Sequence, residues 1–433
     1  MYKKSLRSKI NNYYLKTIIV GLSVVFYFLV TSSHQYSLLL GVMFISPFFL
    51  LLNAKKLTIN DILLLLGFPL LLFQTLINPE HVRYSTILYS FLFLILFLAY
   101  KILLKKNSIT LVDYLKFIKL IVYSYLVVLV IQQLCVLFSI PVFNLGWAFE
   151  DNKWKLNSLS MEPSNTALIV TILLFSYCYC ISIVRKRKYN IFKDFKMDKY
   201  IWFAYLYICL TTASTSSFFC IPVLAFYVGK KKDVLKAFVF LILFFLILIT
   251  NFSFDAFQRV VLFIPALLKL DPIALYNIDP SASARLAPPI IYFQQFSLRS
   301  FGLWFGYGND YGEKYLTNYI LGYLPDEGQG IGGMINFLYD YGIIVFLYFI
   351  ILLRKLTLPK FFSYEMLFWF LLIFIIPFNH YIQWLFWCVC ATNTYFSLQE
   401  KRQVVVTRKS KLLFDFKRAQ INKSGNFHSL KKV

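Results

Sequence analysis

Apolar runs of about 20 residues recur along most of this chain, and they leave few folds open. A run of that length crosses the hydrocarbon core of a bilayer as a helix. Only helices and closed barrels satisfy their backbone hydrogen bonds there. Twelve such spans are read, at roughly 17–33, 37–53, 62–78, 85–104, 117–140, 163–184, 200–213, 215–229, 237–252, 331–353, 362–379 and 381–398. A soluble fold of 433 residues could not hide a composition that is 59% hydrophobic and 20% aromatic. The expected fold is therefore all-α, a polytopic integral membrane protein with about 12 transmembrane helices and one large extracytoplasmic loop. A transmembrane domain is expected over 1–398, and a basic cytoplasmic tail over 399–433.

The net charge of +24 is compatible with nucleic-acid binding in principle, but its placement argues for a membrane. With the N-terminus inside, 36 of the 44 Lys and Arg fall in cytoplasmic segments. That is the bias of the positive-inside rule, and it puts both termini in the cytoplasm. Basic clusters beside the spans also suit anionic lipid headgroups. No nucleic-acid partner is expected. Residues 1–16 are basic and the first span is too long for a cleavable signal, so it reads as a signal anchor.

The stretch 200–229 tests this topology. One long helix would put Lys199 and Lys230-Lys231-Lys232 on opposite sides. Two short helices turning at "TTASTSS" (211–217) keep both clusters inside. Each half is short for the bilayer, so the polar turn is expected to be buried or to line a wet cavity. The seven cysteines all fall in predicted spans, and Cys178/Cys180 and Cys388/Cys390 point to different helix faces. Neither a disulfide nor a metal site is indicated.

Two outer loops are long, a smaller one at about 141–162 and a large one at about 253–330. The outer face is acidic overall, so its arginines stand out. The large loop begins with an apolar stretch holding Arg259. It continues through "SARLAPPIIYFQQFSLRSFGLWFGYG", with Arg285, a helix-like apolar run holding Arg299, and then Trp304, Gly306, Tyr307 and Gly308. A guanidinium grips phosphate oxygens bidentately and stays charged. It would also stabilise charge growing on a pyrophosphate leaving group. Glycine turns beside aromatics suit close approach of a ligand, and aromatic faces suit sugar rings. The structural alternatives are headgroup snorkelling or ion pairs with Asp271 or Asp279 for the arginines, and an interfacial belt for the aromatics.

Four stretches occur in one order: "EPSNTA" opening a mid-chain span, "TTASTSS", "SARLAPPIIYFQQFSLRSFGLWFGYG", and "GGMINFLYDYGIIVFLYF". Over roughly 155–350 the chain resembles the Wzy-type polysaccharide repeat-unit polymerases, relatives of the O-antigen ligases. The resemblance implies a glycosyltransferase without metal or cofactor. It would pass a growing glycan from undecaprenyl pyrophosphate to the terminal sugar of a lipid-linked repeat unit, on the outer face of the cytoplasmic membrane. It implies Arg285, and less directly Arg259, as the residues engaging pyrophosphate. Membrane lipids and the undecaprenyl-pyrophosphate-linked oligosaccharide are the implied partners, alongside a chain-length regulator and a flippase. Two departures matter. Thr215 stands where many relatives have an arginine. Ile331-Gly332 stands where the ligases place His-Asn, so the sequence leans to polymerase over ligase.

In "SMEPSNTA", Pro163 suits the first helical turn, Glu162 lies at the positive end of the helix, and Ser160 can cap it. Glu162 could instead accept a proton from the attacking hydroxyl or orient an arginine. Asp326-Glu327 are weaker base candidates. His380, in the last outer turn "FNHY", is a candidate phosphate contact. The alternative readings are a ligase-like transferase and a lipid-linked oligosaccharide flippase or transporter. The spans carry almost no charge and the single large loop lies in the second half, which counts against a transporter.

Overall fold

The computed structural model describes residues 2–25, 37–77, 79, 83–106, 109–144, 153–212, 214–229, 262–263, 265–322 and 332–402. Among them every regular element is a helix. The first eight are α1 (Tyr2–Ser23), α2 (Ser37–Leu51), α3 (Ile59–Ile77), α4 (Tyr84–Lys105), α5 (Leu111–Leu137), α6 (Pro163–Val184), α7 (Ile191–Thr211) and α8 (Thr215–Val228). A short-helix segment follows with α9 (Pro272–Ile278), α10 (Pro280–Gln294), α11 (Phe301–Phe305) and α12 (Tyr311–Leu321). Then come α13 (Met334–Thr357), α14 (Tyr364–Phe368) running into a π-helical turn at Trp369–Ile373, and α15 over 381–402.

Five of the described helices are long and apolar enough to cross a membrane: Ile59–Leu76 in α3, then α4, α5, α6 and α13. The span expected at 237–252 lies outside the described residues. Helices α4 and α6 form the centre, with Phe97, Tyr100, Phe175 and Tyr177 packed beside Trp384 and Trp387 of α15, all fully buried. Helices α2 and α3 carry exposed Phe44, Phe48, Leu66 and Phe73. An apolar exterior of this extent suits lipid rather than water.

Local chemistry sets several boundaries. Pro163 begins α6, where its missing N–H costs no hydrogen bond. The expected break in 200–229 is present, because α7 ends at Thr211 and α8 starts at Thr215. Its polar turn is buried, with Thr212 fully enclosed and Ser214, Ser216 and Ser217 nearly so. At the other end of α7, Arg185 reaches Asp194 at 2.7 Å and Asp198 at 3.1 Å, while Tyr177 donates to Asp198 at 2.7 Å. Taking these carboxylates out of solvent is tolerable only because each is paired and hydrogen-bonded.

The smaller loop is less of a loop than its polarity suggests. Residues 156–160 are buried between the end of α1 and the side of α5. Val25 N–H donates to Leu159 O at 2.8 Å, Gln132 Oε1 accepts from Ser158 N–H at 2.8 Å, and Ser158 Oγ donates to Tyr125 O at 2.6 Å. Side chains of the neighbouring helices therefore satisfy a non-helical backbone that water cannot reach. Helices α9 to α12 pack into a unit with its own apolar contacts, Ala287, Ile291, Leu316 and Ile320 meeting Leu338 and Tyr339 of α13.

Candidate functional site

The site is built where α6 and α8 begin. Each helix start leaves backbone N–H groups without intrahelical partners and carries partial positive charge. Arg285, on α10, projects between the two starts. Its Nη2 donates to Ser164 Oγ on α6 at 2.9 Å, and its Nη1 to Ser216 Oγ on α8 at 2.9 Å. The Glu162 carboxylate lies 4.0 Å from Nη2 and accepts from Ser164 Oγ at 3.0 Å. Three of the four stretches picked out in the sequence thus converge on one guanidinium.

Burial lowers the pKa of Arg285 from its ordinary value, and the charges of Glu162 and Asp279 pull it back up. An arginine so placed stays cationic. Among the described residues two of its five N–H donors go to serines and Glu162 is too distant for a hydrogen bond, which leaves donors for another ligand. A cavity of about 220 Å³ opens beside it, lined by Ser216, Phe219, Leu286, Leu372 and Ile375. With a cation and two helix starts at its edge, the arrangement is suited to an anion.

Glu162, rather than Ser160, is the N-cap residue of α6, but its side chain makes no cap hydrogen bond and is 44% exposed. Ser160 does not cap either. Its hydroxyl donates to Glu162 O at 2.7 Å and meets Thr166 Oγ1 at 2.7 Å. His380 is half-buried in the turn before α15. Burial, and then the charge of Arg285, push its imidazole down to about 4, and its Nδ1 accepts from Ile382 N–H at 3.4 Å. It is therefore neutral at pH 7.

The remaining sequence candidates are not gathered at Arg285. Arg259 and Asp326-Glu327 lie outside the described residues. Arg299 is exposed in the turn joining α10 to α11, not in a continuing helix, because α10 stops at Gln294. Trp304 is 36% exposed, and its indole N–H donates to Leu298 O at 3.0 Å. Gly306, Tyr307 and Gly308 dock on a break in α13 at Gly342, whose φ is 75°. Tyr307 N–H donates to Tyr339 O at 2.8 Å and Gly308 N–H to Asp340 O at 3.2 Å. A Cβ on Gly306 would stand 2.2 Å from Asp340 O, so the close approach this glycine permits is that of the α13 backbone. The Tyr307 ring stacks on Tyr311 at 4.9 Å, and Tyr311 on Tyr315 at 5.5 Å, so these rings cover one another's faces.

What the sequence did not single out is the pair of serines, Ser164 and Ser216. Both lie in motifs recognised as short patterns, yet nothing in their spacing reveals that residues 52 positions apart share one partner. Among known proteins, the chain matches no family model, no curated protein and no solved structure.

Proposed function

We propose that the chain is a membrane glycosyltransferase that polymerises lipid-linked glycan units, with Arg285 holding the pyrophosphate of the donor. The supporting observation is the convergence of Arg285 with the starts of α6 and α8 beside a cavity of about 220 Å³. A diphosphate is the biological anion that best matches a fork of N–H donors flanked by two helix starts. An apolar cavity would suit the lipid chain. Farther along α10, Tyr292 and Phe293 line an apolar cavity of about 800 Å³ with Phe346, Phe362 and Phe370.

In this reading the acceptor hydroxyl oxygen attacks the anomeric carbon of the donor sugar. The bond from that carbon to the pyrophosphate oxygen breaks, its electron pair leaves on the pyrophosphate, and the proton of the attacking hydroxyl passes to the departing pyrophosphate. Arg285 stabilises the charge gained there without having to reorganise. Glu162, 4.0 Å away and held by Ser164, orients the guanidinium. The transfer takes place on the outer face of the cytoplasmic membrane, with both chain termini inside. A ligase-like transfer to another acceptor is the second reading, supported by a histidine, His380, within electrostatic reach of Arg285.

Glycan chain length in cells carrying Arg285→Ala or Arg285→Lys, at membrane protein levels equal to wild type, tests the proposal. Losing one such preorganised contact typically lowers a rate about 10²–10³-fold. The expected outcome is single repeat units for Arg285→Ala and sharply shortened chains for Arg285→Lys, which keeps charge but not the fork. Full-length chains in both variants would reject the pyrophosphate role, and lipid-linked units trapped on the cytoplasmic side would indicate a flippase.

A further inference from the structure

A separate polar cavity, of about 100 Å³, is lined by residues of α12, α13 and the turn before α15. Its walls include Asp310, Glu313, Asn336, Asp340, Tyr341 and Asn379. Asp310 and Asp340 are each 6% exposed. The partners identified for them are not side-chain cations. Asp310 accepts from Arg83 N–H at 2.8 Å and Thr86 Oγ1 at 3.0 Å, while Asp340 accepts from Gly312 N–H at 2.7 Å. Arg83 turns its side chain instead toward Glu313, at 3.8 Å. An independent feature points to a ligand. Tyr341 is 2% exposed, its hydroxyl has no hydrogen-bond partner among the described residues, and it lies within electrostatic reach of both aspartates. A buried hydroxyl left unpaired costs free energy that a bound partner would recover.

The two cavities share a partition. Gly332 N–H donates to Ala284 O, beside Arg285, at 3.2 Å. Gly333 lines the polar cavity, and its Cα approaches so closely that an added Cβ would stand 2.4 Å from the carbonyl oxygen of Ile375, a wall of the Arg285 cavity. Asn379 lines the polar cavity while its neighbour His380 feels the charge of Arg285.

We propose that this cavity is the acceptor subsite, in which Asp340, Asp310 and the Tyr341 hydroxyl hydrogen-bond the hydroxyl edge of the acceptor's terminal sugar. The inference rests on the glycosyltransferase reading of the neighbouring site. Acidic side chains, a phenol and carboxamides together supply hydrogen-bond acceptors and donors, which match a polyol that offers both on every hydroxyl. Phe337 and Phe378, with rings 4.6 Å apart, add apolar surface for sugar C–H groups. A metal fits less well, since no group of three or more His, Cys, Asp or Glu among the described residues has metal-holding geometry. The volume admits one edge of a ring, not an oligosaccharide.

The test uses the full chain purified in lipid nanodiscs, reading thermal stabilisation by two kinds of probe. One is inorganic pyrophosphate. The other is a panel of free sugars: glucose, galactose, mannose, N-acetylglucosamine and N-acetylgalactosamine. Pyrophosphate is expected to stabilise wild type, Tyr341→Phe and Asp340→Asn alike, and not Arg285→Ala. At least one sugar is expected to stabilise wild type and Arg285→Ala, with apparent affinity roughly fivefold weaker in Tyr341→Phe, the loss of one hydrogen bond. Retained pyrophosphate binding shows that a variant is folded. If pyrophosphate stabilises the protein but no sugar does, or if sugar affinity is unchanged in both Tyr341→Phe and Asp340→Asn, the acceptor subsite is overturned while the donor site stands. If pyrophosphate fails on wild type, the donor reading falls instead.

Discussion

Arg285 is held by two neutral hydroxyls at 2.9 Å, with the Glu162 carboxylate at 4.0 Å, and that difference matters for a binding site. A tight carboxylate pair would neutralise the guanidinium and compete with an incoming anion. Serine hydroxyls fix its direction and leave its charge available. The same charge acts on His380, whose imidazole is pushed down to about 4 from an ordinary 6.5. Between those values the unfolded chain binds a proton that the folded chain refuses, so stability falls as pH drops through the window. Thermal unfolding of the detergent-purified protein is expected to weaken more steeply from pH 7 to pH 5 for wild type than for His380→Gln. Equal slopes would mean that His380 titrates normally.

At the scale of elements, the break in α13 organises the short-helix unit. Gly342 has φ 75°, and a Cβ there would stand 2.4 Å from Trp304 O and 2.5 Å from Gly306 N, both rigid backbone. That φ with a ψ of 170° is a conformation open essentially to glycine alone, and it costs an L-residue roughly 1–3 kcal/mol before any clash. Gly342→Ala is therefore expected to lower the unfolding temperature and to loosen the turn at 306–308, read as faster proteolysis between α11 and α12. Gly41→Ala is the contrast, since nothing lies within 4 Å of its added Cβ. It should leave stability unchanged, and a loss equal to that of Gly342→Ala would show that the packing argument is mistaken.

For the whole molecule, the basic residues and the apolar helices must agree on one orientation. Arg185 and Arg187 close α6 and Arg354 and Lys355 close α13, whereas Arg285 stands where α6 starts. If the former pairs face the cytoplasm, the site faces outward. Green fluorescent protein joined to the C-terminus is expected to fluoresce, and alkaline phosphatase at the same point to be inactive. The reverse pattern would put the Arg285 site on the cytoplasmic side, where the outward-facing transfer could not occur.

Much of the helical framework was legible in the sequence, because apolar length and proline position act locally. The start of α6 at Pro163 and the interruption between Thr211 and Thr215 follow from residues adjacent in the chain. Charge placement likewise carries an expected orientation, since it depends on counting and not on contact. The site was legible only in part. Arg285 was readable as a cation in a polar loop, but its partners Ser164 and Ser216 are 121 and 69 residues away. No local pattern encodes such a meeting. The role of Gly306 was hidden for the same reason, as its constraint is the α13 backbone. Hydrophobic periodicity and breaker residues therefore determined which segments are helices, through interactions within a few turns. Tertiary packing decided which polar groups would face one another, because the free energy of bringing distant side chains together resides in contacts that the chain acquires only once folded.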